Sequence, residues 1–598
     1  MIASLLILVL SAIFCLLLGA LVRTARLARV AAVVGTLIAL AVSLVLQGLS
    51  GSGERVEWPL MLSELSSSEV SPFRSDALSA GMGAWCLLLG AFCLLKTGSG
   101  GNIPLQLTTA MITLAVLYGL VHTANLLVFA VLVFLLVLLA WGFYLVSGEQ
   151  DARTDRSTLA LGLGALFLLS SALLIGRTTG GEYDLNAISI STLTVWPLVL
   201  LTAFAVAWLG MIPLTGWSAL VPSGGYGTGL HSLLLGVPVL TLILRLQSLV
   251  TVQAVGATVP ASWEAFMLAL GWLGGVTGVI AAAGMVVWAG KSRWPALQAT
   301  FWLGLILWAL GFDTPLARYA ALVMLFAYGA GRVALELLPR ADSSRVVRFL
   351  RIFANASLAG MPLTPGFLGV WLLGQSIIED ARPSLALLLV GAVLLAACGT
   401  ALQNYKEAGS SDELFIEQEQ TLPSIRWAGI LFGSGLFLVT LLIPFWSPYV
   451  EGAAAVAGGT PRLNSFWVGL SLDGGVLPIA LLAVGAILLV GLGRLIAGTA
   501  SSGGGISGSL LPTALDRLGR VAATKKQGSA DMSALLENSP APVWWLSLAW
   551  LDRGVYGFGS LLRRLTSRFG GLLGRLEGRY YLPLALILTL AALLAVTR

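Results

Sequence analysis

Apolar runs of about twenty residues recur along nearly the whole chain, and short polar loops separate them. An α-helix of about 20 apolar residues crosses the roughly 30 Å hydrocarbon core of a bilayer. The pattern predicts an all-α polytopic membrane protein with about 15 to 16 transmembrane helices. The first run lacks the basic start and the cleavage site of a secretory signal, so we expect a retained first helix. The expected spans are 1–22, 28–49, 77–96, 104–121, 124–147, 157–177, 192–212, 228–248, 264–289, 296–312, 316–338, 349–378, 384–403, 425–445, 475–497 and 580–597.

Proline and glycine interrupt two of these apolar segments, at 211–217 and at 360–367. In lipid, a broken helix is tolerated only where the freed backbone groups face protein or a water-filled cavity, and such breaks often mark ion pathways. Two breaks placed similarly in two halves predict inverted repeats, whereas a packing kink is the alternative at each. The residues that shape the breaks are Pro213, Gly216 and Trp217 in the first and Pro362, Pro365, Gly366 and Phe367 in the second.

The stretch 499–579 is less apolar than the rest and carries several lysines and arginines. Within it, apolar residues recur at near-helical spacing over 544–565, which predicts an amphipathic helix on a membrane or protein flank. This helix either links two spans or braces a partner. The expected divisions are N-terminal helices over 1–103, a core with both breaks over 104–403, C-terminal helices over 404–498, the amphipathic surface segment over 499–579 and a final span over 580–598.

The composition excludes a soluble protein, because 57% of the residues are hydrophobic and only 10% are charged, with a mean hydropathy of +0.92. The net charge of +6 does not indicate an anionic partner here, since the bases lie mostly in loops and act as topology signals. Arg23, Arg26 and Arg29 follow the first helix, whereas glutamates crowd the second loop. This pattern predicts an N-terminus outside and a first loop in the cytoplasm.

No cofactor site is visible in the sequence. The four cysteines, Cys15, Cys86, Cys93 and Cys398, lie in apolar segments without metal-ligand spacing, and the glycine run at 503–505 belongs to a polar linker. We therefore expect no bound cofactor or metal, no catalytic residue and no nucleic-acid partner. A redox enzyme acting on its own is disfavoured for the same reason.

Four stretches resemble the antiporter-like membrane subunits shared by respiratory complex I, multi-subunit cation/proton antiporters and membrane-bound hydrogenases. Residues 73–79 resemble the Phe-x-x-Asp-x-Leu-Ser start of an early helix, and 213–217 resemble the family's first broken helix. His231 precedes Arg245 by 14 residues, a spacing the family often keeps. The most specific match is 360–367, similar to Gly-Leu-Pro-Pro-x-x-Gly-Phe. The C-terminal extension resembles the lateral helix of the largest member.

The resemblance implies a relay of ionisable groups bridged by water, because an isolated charge at the bilayer centre costs several kcal/mol. In the family, a glutamate on the fifth helix pairs with a lysine before the first break, and a terminal lysine or glutamate lies at the second break. Here the glutamate position holds Val133 or Phe134. The first lysine position holds Ala207 or Trp208, and the terminal position holds Val370. The expected acid and bases are absent.

Few ionisable residues remain within apolar segments. His231 is the best candidate proton carrier, because its unperturbed pKa near 6.5 lets it change charge near neutral pH; the alternative is a hydrogen-bonded structural histidine. Arg332 and Glu336 form an i,i+4 pair that either serves the relay or is a structural ion pair. His122 lies at a helix end and is expected to be interfacial. The relay candidates are His231, Lys291, Arg332, Glu336 and Arg245.

Two functional hypotheses follow. The first is an antiporter-like subunit of a complex-I-type NADH:quinone oxidoreductase, whose relay is largely lost and whose role is that of a scaffold or weak proton conductor. The second is an active transporter of protons, sodium or bicarbonate with a rewired relay. In both, the resemblance implies a multi-pass protein of the cell inner membrane with other membrane subunits and lipid as partners. The chain is then at most a non-redox subunit of the enzyme.

Overall fold

The computed structural model describes fifteen stretches of the chain. Almost all of them are helical, which confirms the predicted all-α polytopic class. Among these residues, ten helices are long and apolar enough to cross a membrane. The described residues are 2–21, 25–49, 56–57, 73–97, 102–147, 152–185, 187–189, 193–211, 227–253, 259–289, 294–338, 344–361, 364–380, 382–409 and 423–441. The predicted spans 475–497 and 580–597 and the amphipathic segment 499–579 lie outside them.

The helix bounds follow the predicted spans to within several residues. The helices are α1 (Ile2–Leu21), α2 (Ala25–Leu49), α3 (Ala77–Lys96), α4 (Ile103–Val121), α5 (Leu126–Ser147), α6 (Ala152–Thr178), α7 (Val195–Leu209), α8 (Gly227–Gln253), α9 (Ala261–Val287), α10 (Trp294–Leu310), α11 (Pro315–Leu337), α12 (Arg345–Ser357), α13 (Pro365–Glu379), α14 (Pro383–Gly409) and α15 (Pro423–Leu441). The predicted span 349–378 is thus two helices, α12 and α13, as its Pro/Gly break indicates.

A short strand pair was not predicted from the sequence. Strands β1 (Val56–Glu57) and β2 (Arg74–Ser75) pair antiparallel, with Val56 opposite Ser75. Single bridges join Phe73 to Thr123 and Asn125 to Asp184. These contacts hold together the chain segments before α3, between α4 and α5, and after α6. They fix the end of the bundle where the first buried charges lie.

Two helices occupy the centre of the bundle. α8 packs against α3, α4, α7, α10 and α11, while α11 packs against α3, α8, α10, α12, α13 and α15. α1 and α2 lie at the periphery, where Leu6, Leu10 and Phe14 of α1 are each more than half exposed, as lipid-facing side chains are. Several polar side chains on these two helices are therefore enclosed by other helices, among them Arg245, Gln247, Arg318 and Arg332.

The helices that precede the two breaks end in the same way. Gly210, with φ of +62°, follows α7, and Gly360, with φ of +68°, follows α12. The next N–H in each case, of Met211 and Met361, donates to a carbonyl five residues back. This is the geometry of a Schellman ending, in which glycine takes the left-handed conformation at no steric cost.

Candidate functional site

α8 carries two of the predicted relay residues near its opposite ends. His231 and Arg245 are 14 residues apart, which is about 21 Å along a helix. They belong to two separate polar groups. The Arg245 cluster comprises Arg245, Asp76, Ser79 and His122 at the end of the bundle where α3 begins; the Arg332 cluster comprises Arg332, Gln298 and His231 at the end where α10 begins.

In the Arg245 cluster a carboxylate balances the charge of the arginine, while its buried Nε has no hydrogen-bond partner among the described residues. Its Nη1 lies 3.0 Å from Asp76 Oδ2, and its Nη2 donates to the Val121 carbonyl at 3.0 Å. The two side chains are only 6% and 12% exposed. Asp76 also caps α3, because its Oδ1 accepts from the Ser79 N–H at 2.8 Å. Burial raises the pKa of Asp76, but the Arg245 charge and the Ser79 hydrogen bonds outweigh it and leave the pKa below its ordinary value.

His122 lies beside this pair. Its Nδ1 is 2.8 Å from the Tyr118 carbonyl, and its own carbonyl accepts from the Arg74 N–H at 2.7 Å. Gly83 of α3 faces the ring closely enough that a Cβ there would lie 2.9 Å from His122 Cε1. Burial lowers the pKa of His122 to about 4, so the ring is neutral near pH 7. His122 lies at a helix end, as the sequence predicts, because it is the C-cap residue of α4, and its ring is buried by the surrounding helices. Its position relative to the membrane–water interface stays a prediction.

In the Arg332 cluster the hydrogen-bond acceptors that the described residues offer the arginine are neutral. Arg332 is 8% exposed, and its Nη1 donates across to α10, to the Pro295 carbonyl and to Gln298 Oε1, both at 3.3 Å. Its charge acts electrostatically on His231. The buried Nε of Arg332, Nε2 of Gln298 and Nε2 of His231 have no hydrogen-bond partner in the part of the chain that the structure describes. The structure thus places His231 within electrostatic range of Arg332, and it joins Arg332 to Gln298 by a hydrogen bond.

Glu336 follows Arg332 by one turn of α11 and is half-buried. Its peptide carbonyl accepts from Lys96 Nζ at 2.7 Å, which ties the end of α11 to the end of α3. Its carboxylate lies within electrostatic range of Cys93 on α3. Lys291 lies outside the described residues.

The positions where the resemblance expects an acid and two bases hold apolar, enclosed side chains. Val133 and Ala207 are 0% and 1% exposed, Val370 is 7% exposed, and Phe134 is half-buried. Trp208, at 0% exposure, makes a structural hydrogen bond, in which its indole N–H donates to the Leu234 carbonyl at 3.1 Å.

That carbonyl needs a donor because Pro238 lies four residues later inside α8 and has no N–H. A second tryptophan acts in the same way at the second break. Trp302 donates to the Leu358 carbonyl at 2.7 Å, just past the end of α12. Indole groups therefore satisfy backbone carbonyls that the proline kink and the helix end leave without an intrahelical donor.

The second break is closely packed where the structure describes it. Gly366 donates from its N–H to Ser357 Oγ at 3.2 Å, and a Cβ at Gly366 would collide with the Ser357 carbonyl. Pro365 opens α13 at its first position, and Phe367 stacks on Trp371 with ring centroids 6.1 Å apart. Pro213, Gly216, Trp217 and Pro362 lie outside the described residues.

A third buried arginine lies at the same end as Arg245. Arg318 Nη2 is 2.6 Å from Asp313 Oδ1, and the indole of Trp263 donates to Asp313 Oδ2 at 3.1 Å. Asp313 is 29% exposed, so this pair is more accessible to water than the Asp76 pair. No group of three or more His, Cys, Asp or Glu side chains is placed to hold a metal ion among the described residues.

Sequence reasoning missed Asp76 and Gln298 as members of the two clusters. The sequence does contain a signal for Asp76. An aspartate three residues before a serine at a helix start predicts a capping box, and an arginine on a central helix needs a carboxylate. The sequence contains no such signal for Gln298, since a single neutral amide within an apolar run does not indicate which helix it faces.

Solved membrane complexes contain chains of this fold. A chain of the Mrp complex from Dietzia sp. DQ12-45-1b superposes with a TM-score of 0.66 at 18% identity, over 93% of this chain and 63% of that chain. A chain of respiratory complex I from Thermus thermophilus gives 0.55 at 19% identity, over 75% and 99%. A chain of the membrane-bound sulfane sulfur reductase, an archaeal respiratory membrane complex, gives 0.63 at 14% identity, over 77% and 98%.

These similarities confirm the fold that the resemblance predicts. This chain spans less than two thirds of the Mrp chain. No protein-family model and no curated protein matches the sequence.

Proposed function

We propose that this chain is an antiporter-like membrane subunit of a complex-I-type NADH:quinone oxidoreductase, with a scaffold or weakly proton-conducting role. The observation that carries the proposal is the replacement of the expected relay residues by enclosed apolar side chains. Val133 and Val370 are buried, and the Trp208 indole is committed to the Leu234 carbonyl. The described end of α7 and the described part of the second break keep their glycine turns, whereas the positions expected to hold the acid and the bases hold side chains that do not ionise.

The buried charges that remain are poor proton carriers. A guanidinium stays protonated at any realistic pH, so Arg245 and Arg332 can order water or a carboxylate but do not exchange protons. Arg245 is neutralised by Asp76 at 3.0 Å. His122 is neutral, with a pKa of about 4. Of the described relay candidates, the half-buried His231 and Glu336 are the two side chains that can change their charge.

A second candidate function is active transport of protons, sodium or bicarbonate through a rewired relay of His231, Lys291, Arg332 and Glu336. The buried nitrogens of His231, Gln298 and Arg332 that lack a partner among the described residues favour it, since such groups ordinarily bind water or an ion. The two functions differ in whether the Arg332 cluster opens onto a hydrated route.

We further propose an N-terminus outside the cell inner membrane, with other membrane subunits and lipid as partners. Two contacts join the helix ends on the Arg332 side: Arg29 donates to the Thr97 carbonyl at 3.4 Å, and Lys96 contacts Glu336. Basic residues are more frequent there, which the positive-inside rule assigns to the cytoplasm. Within the described helices and their ends these are Arg26, Arg29, Lys96, Arg153, Arg156, Arg332, Arg345, Arg348, Arg351, Lys406 and Arg426, against Arg74, Arg177, Arg245, Arg318 and Arg382 at the other end.

Proton flux in proteoliposomes containing the purified assembly tests both functions. The variant is the double substitution His231→Ala, Glu336→Gln, and Glu264→Gln on the exposed start of α9 is the matched control for loss of an acid. We expect unchanged flux with normal assembly, because a scaffold does not need these groups. A drop in flux in the double variant alone, with assembly intact, would reject the scaffold and establish the rewired relay.

A further inference from the structure

α12 presents a face that changes from basic to apolar along its axis. Arg345, Arg348, Phe349 and Ile352 follow the spacing i, i+3, i+4, i+7, so they share one side of the helix. All four are exposed, Phe349 by 53% and Ile352 by 52%. The arginines lie in the first turn of the helix, and the apolar residues lie one to two turns further along it. Arg345 and Ile352 are about 10 Å apart along the helix axis.

The helix itself does not account for these arginines. The N-terminal end of a helix carries a partial positive charge, so cations in its first turn are unfavourable and anions are favourable. α12 has no acidic residue in its first turn, and the Ser344 side chain does not cap it. Arg345 and Arg348 make no side-chain hydrogen bond or ion pair with any residue that the structure describes. The start of α12 therefore attracts an anion that the described chain does not supply.

α15 continues this surface on its other side. Leu350 lies against Gly433, and Phe353 lies against Phe437 with ring centroids 5.2 Å apart, so α12 and α15 run parallel. Phe349 also meets the Phe437 ring edge-on at 6.0 Å.

The parallel register places Trp427 about level with the start of α12, and its side chain is 69% exposed. An exposed tryptophan at the end of a transmembrane helix is typical of the membrane–water interface. Arg426 precedes it and is also exposed. The arginines thus lie at headgroup level, and the apolar part of the face lies deeper.

We propose that this face, formed by Arg345, Arg348, Phe349 and Ile352 against Phe437, binds an anionic phospholipid. The phosphate is held by the two guanidinium groups, and an acyl chain lies along Phe349 and Ile352. Basic pockets between transmembrane helices recognise anionic headgroups in this way. A free phosphate would use only the upper half of the face. An acidic protein segment would leave the exposed apolar side chains at membrane depth unexplained.

Native mass spectrometry of the purified full-length protein tests the proposal. The probes are phosphatidylglycerol and phosphatidylcholine with identical acyl chains. Because a basic residue near a membrane contributes about 1 kcal/mol to anionic-lipid binding, we expect phosphatidylglycerol affinity to fall about fivefold for each arginine and roughly 30-fold for R345Q/R348Q. The matched control R177Q removes an exposed arginine at the opposite end of the bundle and should leave the affinity unchanged.

Three outcomes would overturn the proposal. The first is equal binding of phosphatidylglycerol to the wild type and to R345Q/R348Q. The second is full competition by inorganic phosphate combined with unchanged lipid binding in Phe349→Ser, which would identify a headgroup-sized anion site. The third is loss of a co-purifying membrane subunit from R345Q/R348Q with lipid affinity intact, which would identify a protein contact. Selective loss of phosphatidylglycerol binding in both R345Q/R348Q and Phe349→Ser supports it.

Discussion

Arg245 and Arg332 are the same residue in two different settings within one bundle. Arg245 meets a carboxylate at 3.0 Å and a backbone carbonyl, and that carboxylate is itself held by a helix start. Arg332 meets a backbone carbonyl and an amide oxygen, both neutral, at 3.3 Å. The first arrangement is a buried structural ion pair between two helices. In the second, no carboxylate of a described residue lies within hydrogen-bond distance of the guanidinium.

The largest effect is expected from a substitution that removes the negative charge of the Asp76–Arg245 pair. Asp76→Asn keeps an acceptor for the Ser79 N–H but removes the negative charge, so Arg245 remains buried and uncompensated. We expect the free energy of unfolding to fall by about 3 kcal/mol, as for other buried pairs that lose one partner. Denaturant titration of the purified protein in detergent measures it.

Asp313→Asn is the matched control, because Asp313 also pairs with a buried arginine but is 29% exposed. Its expected cost is about 1 kcal/mol, since water screens the pair. Equal losses of free energy of unfolding in the two variants would show that the contribution of the Asp76 pair to stability does not depend on its burial.

The second effect concerns pH at the Arg245 end. The folded pKa of His122 is about 4 and its unfolded pKa is about 6.5, so the unfolded chain binds more protons between these values. Stability should therefore fall as the pH drops from about 6.5 to 4, by about 3 kcal/mol at most.

His122→Gln should flatten this slope relative to the wild type in pH-dependent unfolding. The Asp76 contribution does not overlap, because a carboxylate with a lowered pKa loses its stabilising effect only below its ordinary value of 3.8. The same slope in both proteins would mean that His122 titrates normally when folded.

The third effect lies on α8 between the two clusters. Trp208→Phe removes the donor to the Leu234 carbonyl, and a buried unsatisfied carbonyl costs about 1–3 kcal/mol. Pro238→Ala restores an N–H four residues after Leu234 and should make that donor unnecessary. We expect a coupling of about 1 kcal/mol in the double-mutant cycle, measured by unfolding in detergent. Strictly additive losses would show that the indole serves packing alone.

The sequence predicted much more of the fold than of the site. Helix bounds follow from apolar length and from residues such as Pro365 and Gly360, because both signals are local along the chain. Which polar groups meet depends on how helices distant in sequence pack: Asp76 and Arg245 are 169 residues apart. The spacing of His231 and Arg245 on one helix indicated a shared relay. However, 14 residues of helix hold the two side chains about 21 Å apart. The structure accordingly assigns them to different clusters.

The smallest expected effect is at Arg332, and it tests the other side of the comparison. Arg332→Leu removes a buried charge, and the groups that accept hydrogen bonds from Arg332 are a backbone carbonyl and an amide oxygen rather than a carboxylate. The change in the free energy of unfolding should therefore stay within about 1 kcal/mol of zero. Arg245→Leu, in contrast, leaves Asp76 without its cation and should be clearly destabilising. Unfolding of the two variants under the same conditions separates the cases. A large loss in Arg332→Leu would mean that Arg332 has a counter-charge in the folded protein, and the contrast between the two arginines would then disappear.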